Sequence, residues 1–137
     1  MLRTILIVDD SAVHRQMLGL LLKRLAAVSL GLRFARDGRD ALAILDTCPD
    51  IDLIILDLHM PHMGGLEFLH RLRLDPARQA TPVIVVSTAN HPETIASAFA
   101  AGANAYLSKP FRSQELEHLV RPYAERNDGR GNLQPSP

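Results

Sequence analysis

The sequence predicts a doubly wound α/β domain, a five-stranded parallel sheet with five helices. Short apolar runs alternate five times with longer segments whose apolar residues recur at helical spacing. The strongest runs are apolar throughout, not alternately polar, as expected of strands covered on both faces by right-handed crossover helices. A length of 137 residues, 47% hydrophobic and 22% charged, supplies one such domain with a proper core.

The elements follow in order. "TILIV" (4–8) is β-branched and apolar, and Asp10 or Ser11 can cap a helix whose apolar positions are Val13, Met17, Leu18, Leu21, Leu22 and Leu25. "LRFA" (32–35) is a weaker strand, followed by a short helix marked by Ala41, Leu42 and Leu45. "LIIL" (53–56) is the third strand; after "HMPHMGG", Leu66, Phe68, Leu69 and Leu72 mark the third helix. "VIVV" (83–86) leads to an alanine-rich helix from about Pro92 to Ala101, with Gly102 placed to end it. "AYL" (105–107) precedes "SKPF" and a last helix from about Ser113 to Glu125. Residues 127–137, "NDGRGNLQPSP", lack apolar periodicity and read as a disordered tail or the start of a linker, which leaves 1–126 as the folded domain.

Charge narrows the function classes. With 15 basic and 15 acidic side chains, no basic excess is clustered for direct nucleic-acid binding or for an anionic membrane surface. The single cysteine, Cys48, cannot form an internal disulfide, and the N-terminal apolar run is too short for a signal peptide or membrane span. A cytoplasmic protein is the expectation.

In open parallel sheets, ligands bind beyond the carboxyl ends of the strands, near the point where strand order reverses. The residues just after the apolar runs are Asp9 and Asp10, then Asp57, then Ser87 and Thr88, then Lys109 and Pro110. If the first, third, fourth and fifth strands are neighbours, three carboxylates, a hydroxyl and an ammonium converge on one edge. The plainer reading is that Asp9 and Asp10 cap a helix, that Asp57 closes a strand, and that Lys109 is a surface lysine.

These residues together resemble the receiver domains of two-component response regulators. The resemblance covers about residues 3–125 and rests on the pair Asp9-Asp10, the strand-end Asp57 in "DLHMPHMGG", the hydroxyl Ser87, the aromatic Tyr106 and the dipeptide Lys109-Pro110, in that order along the chain. It implies a flavodoxin-like (CheY-like) fold. It also implies that Asp57 accepts a phosphoryl group from a sensor histidine kinase or phosphotransfer protein, since a carboxylate needs no general base to act as a nucleophile. Mg²⁺ would be held by Asp9, Asp10, Asp57 and the backbone carbonyl of His59, an oxygen set suited to that ion and a remedy for repulsion among three carboxylates. Lys109 would stabilise charge on the phosphoryl oxygens. Ser87 and Tyr106 would form the switch, and the Lys109-Pro110 peptide would be cis. A downstream protein would dock on the face of helix four, strand five and helix five.

The six histidines form no zinc set. His14, His70, His91 and His118 read as solvated, and Pro61 separates His59 from His62. His59, two residues after Asp57, is the candidate for tuning the lifetime of the phosphoryl group.

Two other readings stand beside this one. A Mg²⁺-dependent aspartyl-phosphate phosphatase expects an acid two residues after its nucleophile, where this chain has His59. A pseudo-receiver acting only as an interaction module usually lacks part of the acid, aspartate and lysine set that is present here.

Overall fold

Each apolar run becomes a strand and each periodic segment a helix in the computed structural model, which describes residues 4–25 and 30–126. The expected tail, 127–137, lies outside the described residues. In chain order the elements are β1 (Thr4–Val8), α1 (Ala12–Leu25), β2 (Gly31–Ala35), α2 (Gly38–Thr47), β3 (Leu53–Leu56), α3 (Gly65–Leu74), a 3-10 turn (Pro76–Arg78), β4 (Val83–Ser87), α4 (Pro92–Ala101), β5 (Ala105–Ser108) and α5 (Ser113–Arg126). Local chemistry sets the helix ends. The Ser11 hydroxyl accepts the His14 amide at 3.3 Å, and Asp37 accepts the Asp40 amide at 2.8 Å. Gly102 ends α4 at φ 117, a conformation that side-chain-bearing residues rarely adopt.

The strands pair in the order β2-β1-β3-β4-β5, every pair parallel. Strand order therefore reverses between β1 and β3, in the middle of the sheet. The pleat divides the core into two layers. Leu6, Val8, Ile54, Leu56, Val83 and Val85 face a layer completed by Phe68, Leu69 and Leu72 of α3 and by Ala98 of α4. Ile5, Ile7, Leu53, Ile55, Ile84 and Val86 face Leu18 and Leu22 of α1 and Leu116 and Val120 of α5. Burying each such Leu, Ile or Phe contributes roughly 1.5–3 kcal/mol, so this two-sided core is the main source of stability.

Val13 and Met17 share the helical period of α1 but lie outside the core: α1 rests on the sheet through Leu18, Gly19 and Leu22, leaving Val13 72% and Leu20 68% exposed, with Met17 between them also exposed. The apolar arc of α1 is wider than the strip of sheet beneath it.

Candidate functional site

Register decides which side chains meet at the carboxyl edge. Val8 pairs with Leu56, so Asp9 and Asp57 leave the sheet level with each other, and the Asp57 amide donates to the Val8 carbonyl at 2.9 Å. Leu56 pairs with Val85 and Ser87 with Ser108, which places Ser87 one residue further out and Lys109 one further still. The Lys109 amide donates to the Ser87 carbonyl at 2.8 Å, and the Lys109-Pro110 peptide is cis. Beyond Asp57 the chain doubles back so closely that a Cβ on Gly65 would lie 2.6 Å from the Asp57 carbonyl oxygen. Only glycine admits that approach.

Asp9, Asp10 and Asp57 each offer a carboxylate oxygen, and the three oxygens lie within 4.8 Å of one another. Asp9 and Asp57 are buried, whereas Asp10 is exposed. Lys109 Nζ lies 2.9 Å from Asp9 Oδ2 and 4.0 Å from Asp57 Oδ2. Burial raises the Asp57 carboxyl above its ordinary pKa and the Asp9 charge adds to the effect; Lys109 opposes it, as do hydrogen bonds from Ser87 and the His59 amide. The cluster thus holds more negative than positive charge, all of it on oxygens. That donor set fits a hard, oxygen-seeking divalent cation, with exposed Asp10 on the side open to water.

Ser87 is fully buried at the end of β4, whereas Thr88 beside it is exposed. The Ser87 hydroxyl accepts the Ala89 amide at 3.2 Å and lies close enough to the Asp57 carboxyl and the Tyr106 hydroxyl to lower the pKa of each. Tyr106 in turn donates to the Ala89 carbonyl. Burial raises the Tyr106 pKa; the nearby Asp57 charge also raises it, and the Ser87 contact lowers it.

His59, His62, His70, His91 and His118 are exposed. The His59 amide sits 3.5 Å from Asp57 Oδ1, at the limit of a hydrogen bond. His14 keeps 41% of its side chain exposed but also makes a contact that was not expected of it: its Nδ1 is 3.0 Å from Lys109 Nζ and 3.7 Å from Asp9 Oδ2. A signal for this was present in the sequence. His14 sits in the first turn of the helix that follows the acidic pair, and helical side chains lean toward the N-terminus, here toward the site.

The response regulator receiver domain family matches residues 5–121. The cell cycle transcriptional regulator CtrA of Caulobacter vibrioides is 34% identical over 128 residues, 93% of this chain and 52% of that protein, so the chain spans about half the length of this relative. Among solved structures, the chemotaxis protein CheY4 of Vibrio cholerae is 32% identical with TM-score 0.80, covering 90% of this chain and 99% of that one. The Mn²⁺-bound form of response regulator Rcp1 is 26% identical with TM-score 0.75, covering 98% of this chain and 99% of that one.

Proposed function

The chain belongs to the response regulator receiver domain family, and on that premise we propose that Asp57 accepts a phosphoryl group from the phosphohistidine of a sensor kinase or phosphotransfer protein. One observation carries the reading: the Asp57 carboxylate ends β3 beside two further carboxylates and a buried ammonium. A carboxylate oxygen attacks phosphorus, a P–O bond forms as the donor's P–N bond breaks, and the freed electron pair returns to the imidazole nitrogen, which takes up a proton. No general base is required. Lys109 neutralises charge on the phosphoryl oxygens, a positioning and electrostatic task. Asp9, Asp10, Asp57 and the His59 backbone carbonyl are the groups that would hold Mg²⁺, which supplies charge neutralisation when bound. That the similar response regulator Rcp1 has a Mn²⁺-bound form supports a divalent ion for this chain.

The reading extends to the switch. A phosphoryl group on Asp57 gives the Ser87 hydroxyl a stronger acceptor, and Ser87 already reaches Tyr106. Tyr106 lines a cavity of about 670 Å³ with Arg112, His118 and Leu119, and this side, formed by α4, β5 and α5, is the surface we assign to a downstream protein. The donor protein is assigned to α1, whose exposed stripe Val13, Met17 and Leu20 runs from the first turn of the helix and is accompanied by exposed Lys23 and Arg24. Exposed His59 is the side chain we assign to control of phosphoryl lifetime. Among the described residues no helix is long and apolar enough to cross a membrane.

Incubation with acetyl phosphate and Mg²⁺ tests the proposal. Intact mass should rise by one phosphoryl group, peptide mapping should place it on Asp57, and Asp57→Asn should abolish it. A label on Ser87 or a histidine would overturn the assignment.

A further inference from the structure

We propose that His14 is a positioning residue for Lys109: its imidazole Nδ1 accepts a hydrogen bond from the ammonium and thereby aims the remaining N–H at Asp57. This role rests on the reading of Asp57 as the phosphoryl acceptor. An ammonium carries three donors and no acceptor. The Lys109 side chain is only 9% exposed, so water satisfies little of it. One donor goes to Asp9 Oδ2 at 2.9 Å and a second to His14 Nδ1 at 3.0 Å, while Asp57 Oδ2 stands at 4.0 Å. Because the ammonium only donates, this role requires Nδ1 to be the unprotonated nitrogen, with the ring proton on Nε2.

Two acceptors accomplish what one does not. Held by Asp9 alone, the ammonium turns freely about that single contact; held also by His14, its rotation stops and its third N–H has a defined direction. The two acceptors also differ in kind. Asp9 belongs to the acid cluster, and a carboxylate serving a cation has less to give an ammonium. His14 is neutral in this contact, so it orients Lys109 without cancelling the charge that the phosphoryl oxygens require. The backbone that carries the imidazole is anchored, since the His14 amide donates to the Ser11 cap at 3.3 Å in the first turn of α1.

Two measurements on the full chain decide the matter. In the unphosphorylated protein, ¹⁵N spectra of the imidazoles should show His14 as the Nε2–H tautomer; an Nδ1–H tautomer overturns the contact. In kinetics with acetyl phosphate, His14→Ala and His14→Leu should each lower the phosphorylation rate at saturating donor by about fivefold with KM unchanged, since one hydrogen bond is worth about 1 kcal/mol. His14→Asn, whose Oδ1 occupies about the place of Nδ1, should recover most of that loss. An asparagine variant as slow as alanine, or an alanine variant as fast as the parent, overturns the role. If the parent takes no phosphoryl group on Asp57, the phosphoacceptor reading falls and this role with it, while the tautomer spectrum still reports the contact itself.

Discussion

The two ends of the sheet each bury cations, and they treat them in opposite ways. At the carboxyl edge, Lys109 faces the carboxylates of Asp9 and Asp57 and the imidazole of His14. At the amino edge, two arginines face only carbonyls and an amide. Arg73 of α3 donates to the carbonyls of Arg78, Thr81 and Gly102 and to the Asn104 side chain, tying α3 to the chain entering β4 and β5. Buried Arg78 donates to the carbonyls of Leu45, Cys48 and Ile51, closing the end of α2 and the approach to β3. Burial pulls Arg73 below its usual pKa, yet a guanidinium stays charged at any physiological pH. Carbonyl dipoles do not change when the protein is modified, so the amino edge is a fixed frame. The carboxyl edge sets unequal formal charges against one another, so a change in one of them would shift the balance among its contacts. A single sheet thus joins a static end to an adjustable one.

The sharpest way to break that contrast is at the static end. Arg78→Met should destabilise the fold by about 3 kcal/mol, because it leaves several buried carbonyls without donors, while the folded fraction still accepts phosphate at a rate within about twofold of the parent. Denaturant unfolding and acetyl phosphate kinetics on the same sample test both halves. An equal loss of rate would mean that the two ends are coupled.

At the adjustable end, Asp10→Asn should weaken Mg²⁺ binding by at least about tenfold, roughly the 1.4 kcal/mol expected for loss of one charged ligand, with little change in stability without the metal. Titration calorimetry reads this, and unchanged binding would remove Asp10 from the metal set. Leu20→Glu on the exposed stripe should slow transfer from a cognate phosphohistidine protein by about fivefold, or roughly 1 kcal/mol, and leave acetyl phosphate kinetics unchanged. Equal effects on both donors would show that α1 does not dock the donor.

The smallest effect concerns pH. Since burial raises the Asp57 pKa in the folded chain above its ordinary value of 3.8, the ionised carboxylate opposes folding at neutral pH. Stability linked to this group is present in full below the unfolded value, where Asp57 is protonated in both states, and is lost as pH rises through the folded value. In chelator, Asp57→Asn should therefore be more stable than the parent near pH 7, and its advantage should shrink as pH falls toward about 4.5. Urea unfolding across that range tests the sign; an advantage that grows on acidification would contradict it.

Much of this molecule was legible in its residues. Apolar runs marked all five strands to within about a residue, because β-branched and aliphatic side chains favour an extended, two-sided environment over short distances. Helical periodicity marked all five helices, and Gly102 marked the end of α4. The chemistry of the edge was also readable: Asp9, Asp10, Asp57 and Lys109 follow on the strands and Ser87 ends one, and a parallel sheet sends all its carboxyl ends the same way.

Other features came only from the assembled structure. Whether those residues meet depends on the strand order β2-β1-β3-β4-β5 and its register, which the sequence reading could state only as a condition. The exposure of Val13 and Met17 depends on how α1 is rotated over the sheet, and their period alone matches that of core residues. The carbonyl clamps of Arg73 and Arg78 leave no local pattern. The contact of Lys109 with His14 spans 95 residues and that with Asp9 spans 100. Propensity and periodicity act within a few residues, so they determine what each segment becomes and which groups it carries; which distant groups touch is decided by the packing of whole elements, and that was settled only when the sheet closed and the helices docked.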